Sequence, residues 1–284
     1  MKATQKDLFR AYLETDELPG SGRATSYVRA LDLLSEMLKQ APMGFSDCIA
    51  IWESISLGRM EKLYRVVRQQ TRDWEASPWR LKGLPPSYLR NGFCSAALSS
   101  YLRFLSEHRH HEELFDRYEN FDGAEDGIAQ ELNKDVKYPK LLREEIELHE
   151  GREGLRLMKV RLNQKVFRSI LLNLYRETCC VTGIDVPEIN RASHIIPWTE
   201  SRETRMDPRN GLLLSATYDA AFDRNLITLD EDYRIVVSRA ISDHYSSEAV
   251  KLHFLGYQGK RIWIPPRYRP SQSYLEKHRA KGVF

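Results

Sequence analysis

The stretch from Thr178 to Asp230 constrains this chain more than any other, because side chains suited to hydrolytic chemistry recur there at short, ordered intervals. His194 lies in an apolar run that Pro197 closes, and Asn210 precedes a glycine and a second apolar run. Two aspartates four residues apart follow directly. This pattern predicts the order strand, loop, strand, helix.

The two aspartates are Asp219 and Asp223. If residues 216–225 form a helix, residues four apart share a face, so both carboxylates point the same way and can hold one cation. His194 adds an imidazole, whose ordinary pKa of about 6.5 lets it accept a proton near neutral pH. These groups are suited to phosphodiester hydrolysis, which needs an activated water and a counter-charge at the phosphate.

Length and composition set the broad class of the protein. At 284 residues the chain is long enough for two domains, and its net charge of +3 permits a nucleic-acid partner without arguing for one. The charged N-terminus has no signal-peptide core, and no stretch approaches the roughly 18 apolar residues that cross a bilayer. The four cysteines give no disulfide framework. We therefore expect a soluble cytoplasmic protein with no membrane partner.

The expected fold class is α+β, with three segments along the chain. Residues 1–107 show helical periodicity and predict an all-α domain that binds DNA or a partner, or regulates the second domain. Residues 108–140 are acidic and glycine-interrupted and predict a linker with short helical pieces. Residues 141–284 begin with a basic helix that leads into the stretch described above.

Basic and aromatic residues alternate on the predicted helices of residues 1–107, a pattern that could follow nucleic-acid phosphates. Ordinary solvated helix faces over an aromatic core explain the same pattern. Both interpretations stay open, as they do for the basic helix before Thr178, which could follow a phosphate backbone or simply pack on the core.

The stretch resembles the HNH nucleases of the ββα-metal superfamily, in the subgroup with motifs of the form C-x-x-T-G, S-H-I-x-P-W, N-G-L-x-L and Y-D-x-x-F-D. The corresponding segments here are CCVTG from Cys179, SHIIPW from Ser193, NGLLL from Asn210 and YDAAFD from Tyr218. The resemblance implies a C-terminal ββα-metal nuclease domain in residues 141–284. It also implies that His194 is the general base and that Asn210 supports the loop and orients that base.

The resemblance also implies the metal ligands. Asp219 stands where the second histidine of the HNH pattern would be, Asp223 matches the last ligand position, and Ser193 precedes the base as a weak ligand. Carboxylates are harder ligands than imidazoles, so this set favours Mg²⁺ or Mn²⁺ over Zn²⁺. Cys179 and Cys180 have no second Cys-x-x-Cys partner, so no structural zinc is expected.

A one-metal mechanism on DNA, most simply double-stranded, is expected to give 5′-phosphate and 3′-hydroxyl ends. Neighbouring arginines are candidates for substrate-phosphate contacts, with Arg224 the first choice, followed by Arg209 and Arg205. Relatives often serve in bacterial restriction or anti-phage defence, where partner subunits occur, and double-strand cleavage predicts a homodimer. Two alternatives stay open: a non-catalytic DNA-binding or partner-docking protein on a decayed nuclease scaffold, and an RNase with the same site.

Overall fold

The computed structural model describes residues 3–15, 21–135, 138–244 and 246–284. The chain divides into two compact units, which we call the helical unit (Met1–His110 with Val136–Met158) and the sheet unit (His111–Asp135 with Lys159–Phe284). Among the described residues, no helix is both long enough and apolar enough to cross a membrane.

The helical unit contains no β-strand in the part of it that the structure describes. Its core forms where the apolar stripes of successive helices meet, as the periodicity predicts. The ring of Phe9, for example, packs edge-on against that of Tyr101, with centroids 5.2 Å apart. The first five helices are α1 (Gln5–Thr15), α2 (Arg23–Gln40), α3 (Leu57–Arg72), α4 (Ser87–Arg90) and α5 (Phe93–Glu119), the last of which continues into the sheet unit.

Two local predictions for this region differ from the structure. The apolar pattern that opens at Ser46 predicts an α-helix, but only two short 3₁₀ turns form there, Ser46–Cys48 and Ile51–Glu53. The predicted linker of residues 108–140 includes residues 108–119, which are the second half of α5, and α6 (Ile128–Leu132). The acidic residues of 108–119 occupy an exposed helix face above buried Leu114 and Tyr118, so their charge does not interrupt the helix. The functions assigned to the predicted domains stay predictions.

The sheet unit contains the C-terminal part of α7 (Lys140–Leu174) and two small antiparallel sheets. Strands β1 (Asn190–His194) and β2 (Gly211–Ser215) pair with His194 opposite Gly211, and α8 (Ala216–Asp223) follows β2 without a loop. The order strand, loop, strand, helix is therefore the one that the sequence predicts. The alternating apolar positions of LITLDEDYRIVVS predict a hairpin, and strands β3 (Ile227–Leu229) and β4 (Ile235–Val237) form it. The remaining helices are α9 (Arg239–Ser242), α10 (Glu248–His253) and α11 (Gln272–Arg279).

Gly211 has a packing role rather than the turn role that an Asn-Gly pair usually indicates. Its backbone is extended, with φ −130°. A Cβ atom at this position would lie 2.5 Å from Cδ1 of Leu171 and 2.9 Å from Cζ of Phe167. The glycine therefore lets β2 approach α7 closely, directly opposite His194.

The sequence RIWIPP suggests one more strand, but the structure shows only an isolated bridge between Arg234 and Arg261. The amide of Trp263 donates instead to the carbonyl of Cys180 (3.0 Å). The two prolines that follow lack the N–H groups that would extend a ladder.

Candidate active site in the sheet unit

A single open cleft of about 570 Å³ lies over β1, α8 and the middle of α7. Four of the predicted site residues line it: Ser193, His194, Asp219 and Asp223. The other lining residues are Gln164, Phe167, Arg168, Arg191, Ala192, Pro197 and Trp198.

His194 is the last residue of β1, and its ring is held between two aromatic side chains. Phe167 stacks on it with ring centroids 4.0 Å apart and planes 15° from parallel. Trp198 meets it edge-on at 5.4 Å. These contacts fix the plane of the imidazole and shield one of its faces from water.

A backbone hydrogen bond fixes the protonation of the His194 ring. Its Nε2 lies 3.0 Å from the carbonyl oxygen of Arg205, and because a carbonyl can only accept, Nε2 carries the hydrogen. The other ring nitrogen, Nδ1, therefore has the free lone pair. Burial lowers the pKa of His194 to about 4, although the Arg205 carbonyl acts in the opposite direction. The imidazole is neutral at neutral pH and able to accept a proton.

Asn210 lies behind the cleft and is fully buried. Its Oδ1 accepts from the amide of Ile196 (2.7 Å), and its Nδ2 donates to the carbonyls of Ile196 and Thr204 (both 3.1 Å). Its own carbonyl accepts from the amide of Ile195 (2.9 Å). One side chain thus joins both ends of the loop that runs from His194 to β2.

Asp207 anchors the same loop, a role for which the sequence analysis did not identify it. Its carboxylate is fully buried and accepts from the backbone amide of Arg209 (2.9 Å), from the Arg209 guanidinium (2.9 Å to Nη2) and from the hydroxyl of Tyr274 (3.0 Å). Burial and the adjacent Asp207 raise the pKa of Tyr274 to about 12, so this hydroxyl stays a donor. The Asp-Pro pair at 207–208, a turn-initiating signal, could have indicated this anchor.

A second group of lining residues, which we call the α8 wall, consists of Asp219, Asp223 and Ser193 and carries oxygen atoms with few hydrogen-bond partners in the described part of the chain. Asp219 and Asp223 lie one turn apart on α8, as predicted, and Asp223 is the more exposed. Partial burial, and then repulsion from Asp219, raise the pKa of Asp223. On β1, Oγ of Ser193 is buried and has no hydrogen-bond partner in the described part of the chain.

These oxygen atoms do not form a complete metal site by themselves. Among residues 3–15, 21–135, 138–244 and 246–284, no group of three or more His, Cys, Asp or Glu side chains is placed to hold a metal ion. Two carboxylates and an unpartnered hydroxyl nevertheless make a set composed only of oxygen donors. Such a set suits Mg²⁺ or Mn²⁺, which retain water ligands and bind substrate phosphate.

Cys179 and Cys180 are buried within the fold of the sheet unit. The sulfur of Cys179 accepts from the backbone amides of Ser215 (3.2 Å) and Thr182 (3.5 Å). Burial raises the pKa of the Cys180 thiol well above its ordinary value. Cys179 therefore ties the turn before β1 to the end of β2.

The three arginines predicted to contact phosphate lie outside the residues that line the cleft. Arg209 is paired with Asp207, and Arg205 donates to the carbonyl of Trp198 (2.6 Å). Arg224 is exposed just after α8 and donates to the carbonyl of Ala220 (3.0 Å). Their phosphate contacts stay predictions, and for Arg205 and Arg209 the structure supplies a different role, since both hold the loop.

Two other arginines line the cleft itself. Arg168 donates from α7 to the carbonyls of Asn190 and Pro187 (both 2.5 Å), so it orients β1. Arg191 is exposed, and among the described residues its guanidinium has no hydrogen bond or ion pair. Of the two arginines that line the cleft, Arg191 is therefore the one whose guanidinium has no partner in the described part of the chain. The sequence analysis did not identify Phe167 or Trp198, which hold the His194 ring, as site residues, although Trp198 lies within the SHIIPW segment.

Residues 179–230 match the family model described as HNH endonuclease. This segment resembles an HNH endonuclease. The HNH segment includes the β1–loop–β2–α8 unit and every residue predicted for the site. The match supports nuclease chemistry on a nucleic-acid substrate. No curated protein matches the chain.

Proposed function

We propose that the protein is a metal-dependent DNA endonuclease that hydrolyses phosphodiester bonds to leave 5′-phosphate and 3′-hydroxyl ends. One observation carries the proposal: one cleft, lined by the HNH segment and by α7, brings together an imidazole held by a ring stack and a hydrogen bond and two carboxylates on one helix face.

His194 is the general base in this proposal. The Arg205 carbonyl keeps the hydrogen on Nε2, so Nδ1 is available to take a proton from a water molecule in the cleft. The lowered pKa of His194 keeps the ring neutral at neutral pH, and the Phe167 stack limits its rotation. The stack and the Arg205 hydrogen bond orient the base before the substrate binds, whereas the lowered pKa makes the ring a weaker base than an ordinary histidine.

Asp219 and Asp223 would hold the cation, with the Ser193 hydroxyl as a weak third donor. Partial burial, and then repulsion from Asp219, raise the pKa of Asp223, and a bound cation would relieve that repulsion. The Ser193 hydroxyl, which has no hydrogen-bond partner in the described part of the chain, would gain one. When bound, Mg²⁺ or Mn²⁺ supplies positive charge against the scissile phosphate and the departing 3′-oxygen. Arg191 contributes a further positive charge at the cleft wall.

Asn210 is a positioning residue in the proposal. It fixes Ile195 and Ile196, the two residues after the base, against the end of the same loop. Because Arg205 lies in this loop, Asn210 also supports the carbonyl that sets the His194 tautomer.

The test is cleavage of supercoiled plasmid by the purified full chain in Mg²⁺ or Mn²⁺, with an EDTA control. Replacement His194→Ala is expected to lower the cleavage rate by about 100- to 10,000-fold, the usual contribution of a general base. His253→Ala is the matched control, because His253 is exposed and outside the residues that line the cleft. Cleavage by His194→Ala at the wild-type rate would contradict the mechanism.

The same assay separates the alternatives. Wild-type cleavage of RNA but not of DNA would favour the RNase, and binding without cleavage under any metal would favour the decayed scaffold. A monomer is expected to nick, whereas linear product from a single binding event requires two copies of the site. For the proposed defence role, a bacterial host that expresses the wild-type chain should resist phage, and a host that expresses His194→Ala should not.

A further inference from the structure

A basic surface lies on the sheet unit outside the residues that line the cleft. We call it the basic strip, and it consists of Arg176, Arg234, Arg261 and Trp263. It is built on the isolated bridge between Arg234 and Arg261 and on the C-terminal end of α7.

The two arginines of the bridge face the same way. Residues directly opposite each other in antiparallel pairing have side chains on one face, about 5 Å apart at Cβ, and like charges there are unfavourable. Arg234 and Arg261 are both exposed, and Arg234 makes one side-chain bond, from Nη1 to the carbonyl of Gly259 (3.0 Å). In the part of the chain that the structure describes, neither guanidinium forms an ion pair. The nearby carboxylate of Asp230 accepts backbone amides instead.

Trp263 extends this face along the chain beyond Arg261. Along the chain from Arg261, burial alternates: Arg261 is exposed, Ile262 is buried and Trp263 is 42% exposed. Residues two apart in an extended segment share a face, so Trp263 lies on the same face as Arg261. Tyr175 supports the indole edge-on with ring centroids 5.8 Å apart.

Arg176 completes the strip from a different element. It follows α7 in a left-handed conformation with φ 52°, and its guanidinium lies 5.8 Å from the centre of the Trp263 ring. Arg176 is also exposed and without an ion pair in the described part of the chain. The strip therefore combines one exposed, supported indole with three guanidinium groups that form no ion pair among the described residues.

The strip is tied to the site by two backbone hydrogen bonds. The amide of Trp263 donates to the carbonyl of Cys180 (3.0 Å), and the amide of Cys180 donates to the carbonyl of Leu213 in β2 (2.9 Å). Each such step is about 4.8 Å, so the Trp263 backbone lies about 10 Å from β2 and about 15 Å from β1, the strand that lines the cleft. The separation is short enough for one nucleic-acid molecule to reach both places.

We propose that the basic strip binds the backbone of a DNA strand beyond the cleaved bond. Guanidinium groups suit phosphate oxygens because their planar donors bind in pairs, and an exposed indole provides a face on which a base can stack. An anion between Arg234 and Arg261 would also remove their mutual repulsion. The identity of the partner as DNA rests on the proposed nuclease function.

The test is direct binding without cleavage. The full chain in EDTA is titrated onto fluorescently labelled duplex DNA and onto the single strand of the same sequence, at salt concentrations from about 50 to about 200 mM. The test variants are Arg234→Gln with Arg261→Gln, and separately Trp263→Leu. The control is Lys251→Gln with Lys277→Gln, which also removes two exposed charges from the sheet unit.

The double arginine variant should bind at least one of the two DNAs more weakly and lower the slope of log affinity against log salt by nearly 2, about 0.9 for each lost phosphate contact on duplex. Trp263→Leu should weaken binding of the single strand by about 5- to 100-fold and leave the slope unchanged. The DNA for which affinity falls more, duplex or single strand, is the form that the strip contacts.

Wild-type affinity and slope in the double arginine variant would overturn the proposal, and so would an equal loss in the lysine control. Failure of the wild-type chain to bind either DNA would also overturn it. Cleavage is measured separately: if the strip variants lose binding but the wild type cleaves nothing, the nuclease proposal fails alone. If the wild type cleaves and the strip variants bind normally, the strip proposal fails alone.

Discussion

The two walls of the cleft differ in how many of their polar groups form hydrogen bonds within the protein. The wall that carries His194 is held by a loop in which Asn210 and Asp207 are fully buried and make several hydrogen bonds each. The wall formed by α8 and Ser193 has two repelling carboxylates and a buried hydroxyl without a partner. The protein therefore fixes His194, the proposed base, in advance, whereas the proposed metal-binding oxygens have few partners in the described part of the chain.

This difference predicts that substitutions on the loop wall cost mainly stability, whereas substitutions on the α8 wall cost mainly metal affinity. The largest stability effect is expected for Asn210→Ala. It removes three side-chain hydrogen bonds and leaves the amide of Ile196 unsatisfied in the interior, at a cost of about 3–5 kcal/mol. Urea unfolding measures the loss, with the exposed Asn120→Ala as the control. A change below about 1 kcal/mol would mean that the loop is held in another way.

Asp207→Asn is expected to cost less, about 2 kcal/mol, because asparagine keeps the shape and can still accept one hydrogen bond. The loss arises from Arg209, whose side chain is 21% exposed and would keep its charge with no carboxylate opposite. The same urea unfolding assay applies. Tyr274→Phe removes one of the same contacts, so the two substitutions should be less than additive. Full additivity would show that Tyr274 and Asp207 act independently.

Asp219→Asn tests the other wall. The Mg²⁺ or Mn²⁺ concentration for half-maximal cleavage should rise by about tenfold or more, since even groups outside the first coordination shell are worth about 10–100-fold in metal affinity. Stability without metal should change by no more than about 0.5 kcal/mol, because the lost charge also relieves repulsion with Asp223. Unchanged metal dependence would remove Asp219 from the ligand set. A large loss of stability would show that the wall formed by α8 contributes to the stability of the fold as the loop wall does.

The smallest expected effect concerns the support behind α8. His278 is buried, stacks on Phe222 at 3.8 Å, donates from Nε2 to the carbonyl of Phe222 (3.0 Å) and accepts at Nδ1 from Thr228 (2.9 Å). Burial lowers its pKa below the ordinary value of 6.5. The unfolded chain therefore takes up a proton at a higher pH than the folded chain, so stability should fall as pH falls from about 6.5 toward the folded-state pKa.

Comparison of the wild type with His278→Gln isolates this contribution. The glutamine variant should show a shallower fall of urea midpoint below pH 6.5 than the wild type. Equal pH dependence in both proteins would show that His278 does not resist protonation. Because His278 contacts Phe222 next to Asp223, the variant is also expected to need more metal ion for cleavage.

The amino-acid sequence predicts the local part of the site well. Apolar runs around His194 and after Asn210 predict two strands, and the spacing of Asp219 and Asp223 predicts a shared helix face. These features follow from periodicity within a few residues, which backbone geometry converts directly into structure. The same reasoning fails for the pattern after Ser46 and for residues 108–119, where packing against distant residues decides whether a helix forms or continues.

By itself the sequence determined the order of elements and four of the side chains that line the cleft, those of Ser193, His194, Asp219 and Asp223. Only the tertiary structure decided which charged side chains have hydrogen-bond or ion-pair partners within the protein. Arg205 and Arg209 read as phosphate ligands but are bound within the loop, whereas Arg191 and the bridge between Arg234 and Arg261 are left without counter-charges in the described part of the chain. The tautomer of His194 likewise depends on a carbonyl eleven residues away. The physical reason is that charge pairing and hydrogen bonding depend on distance in space, which sequence separation does not give.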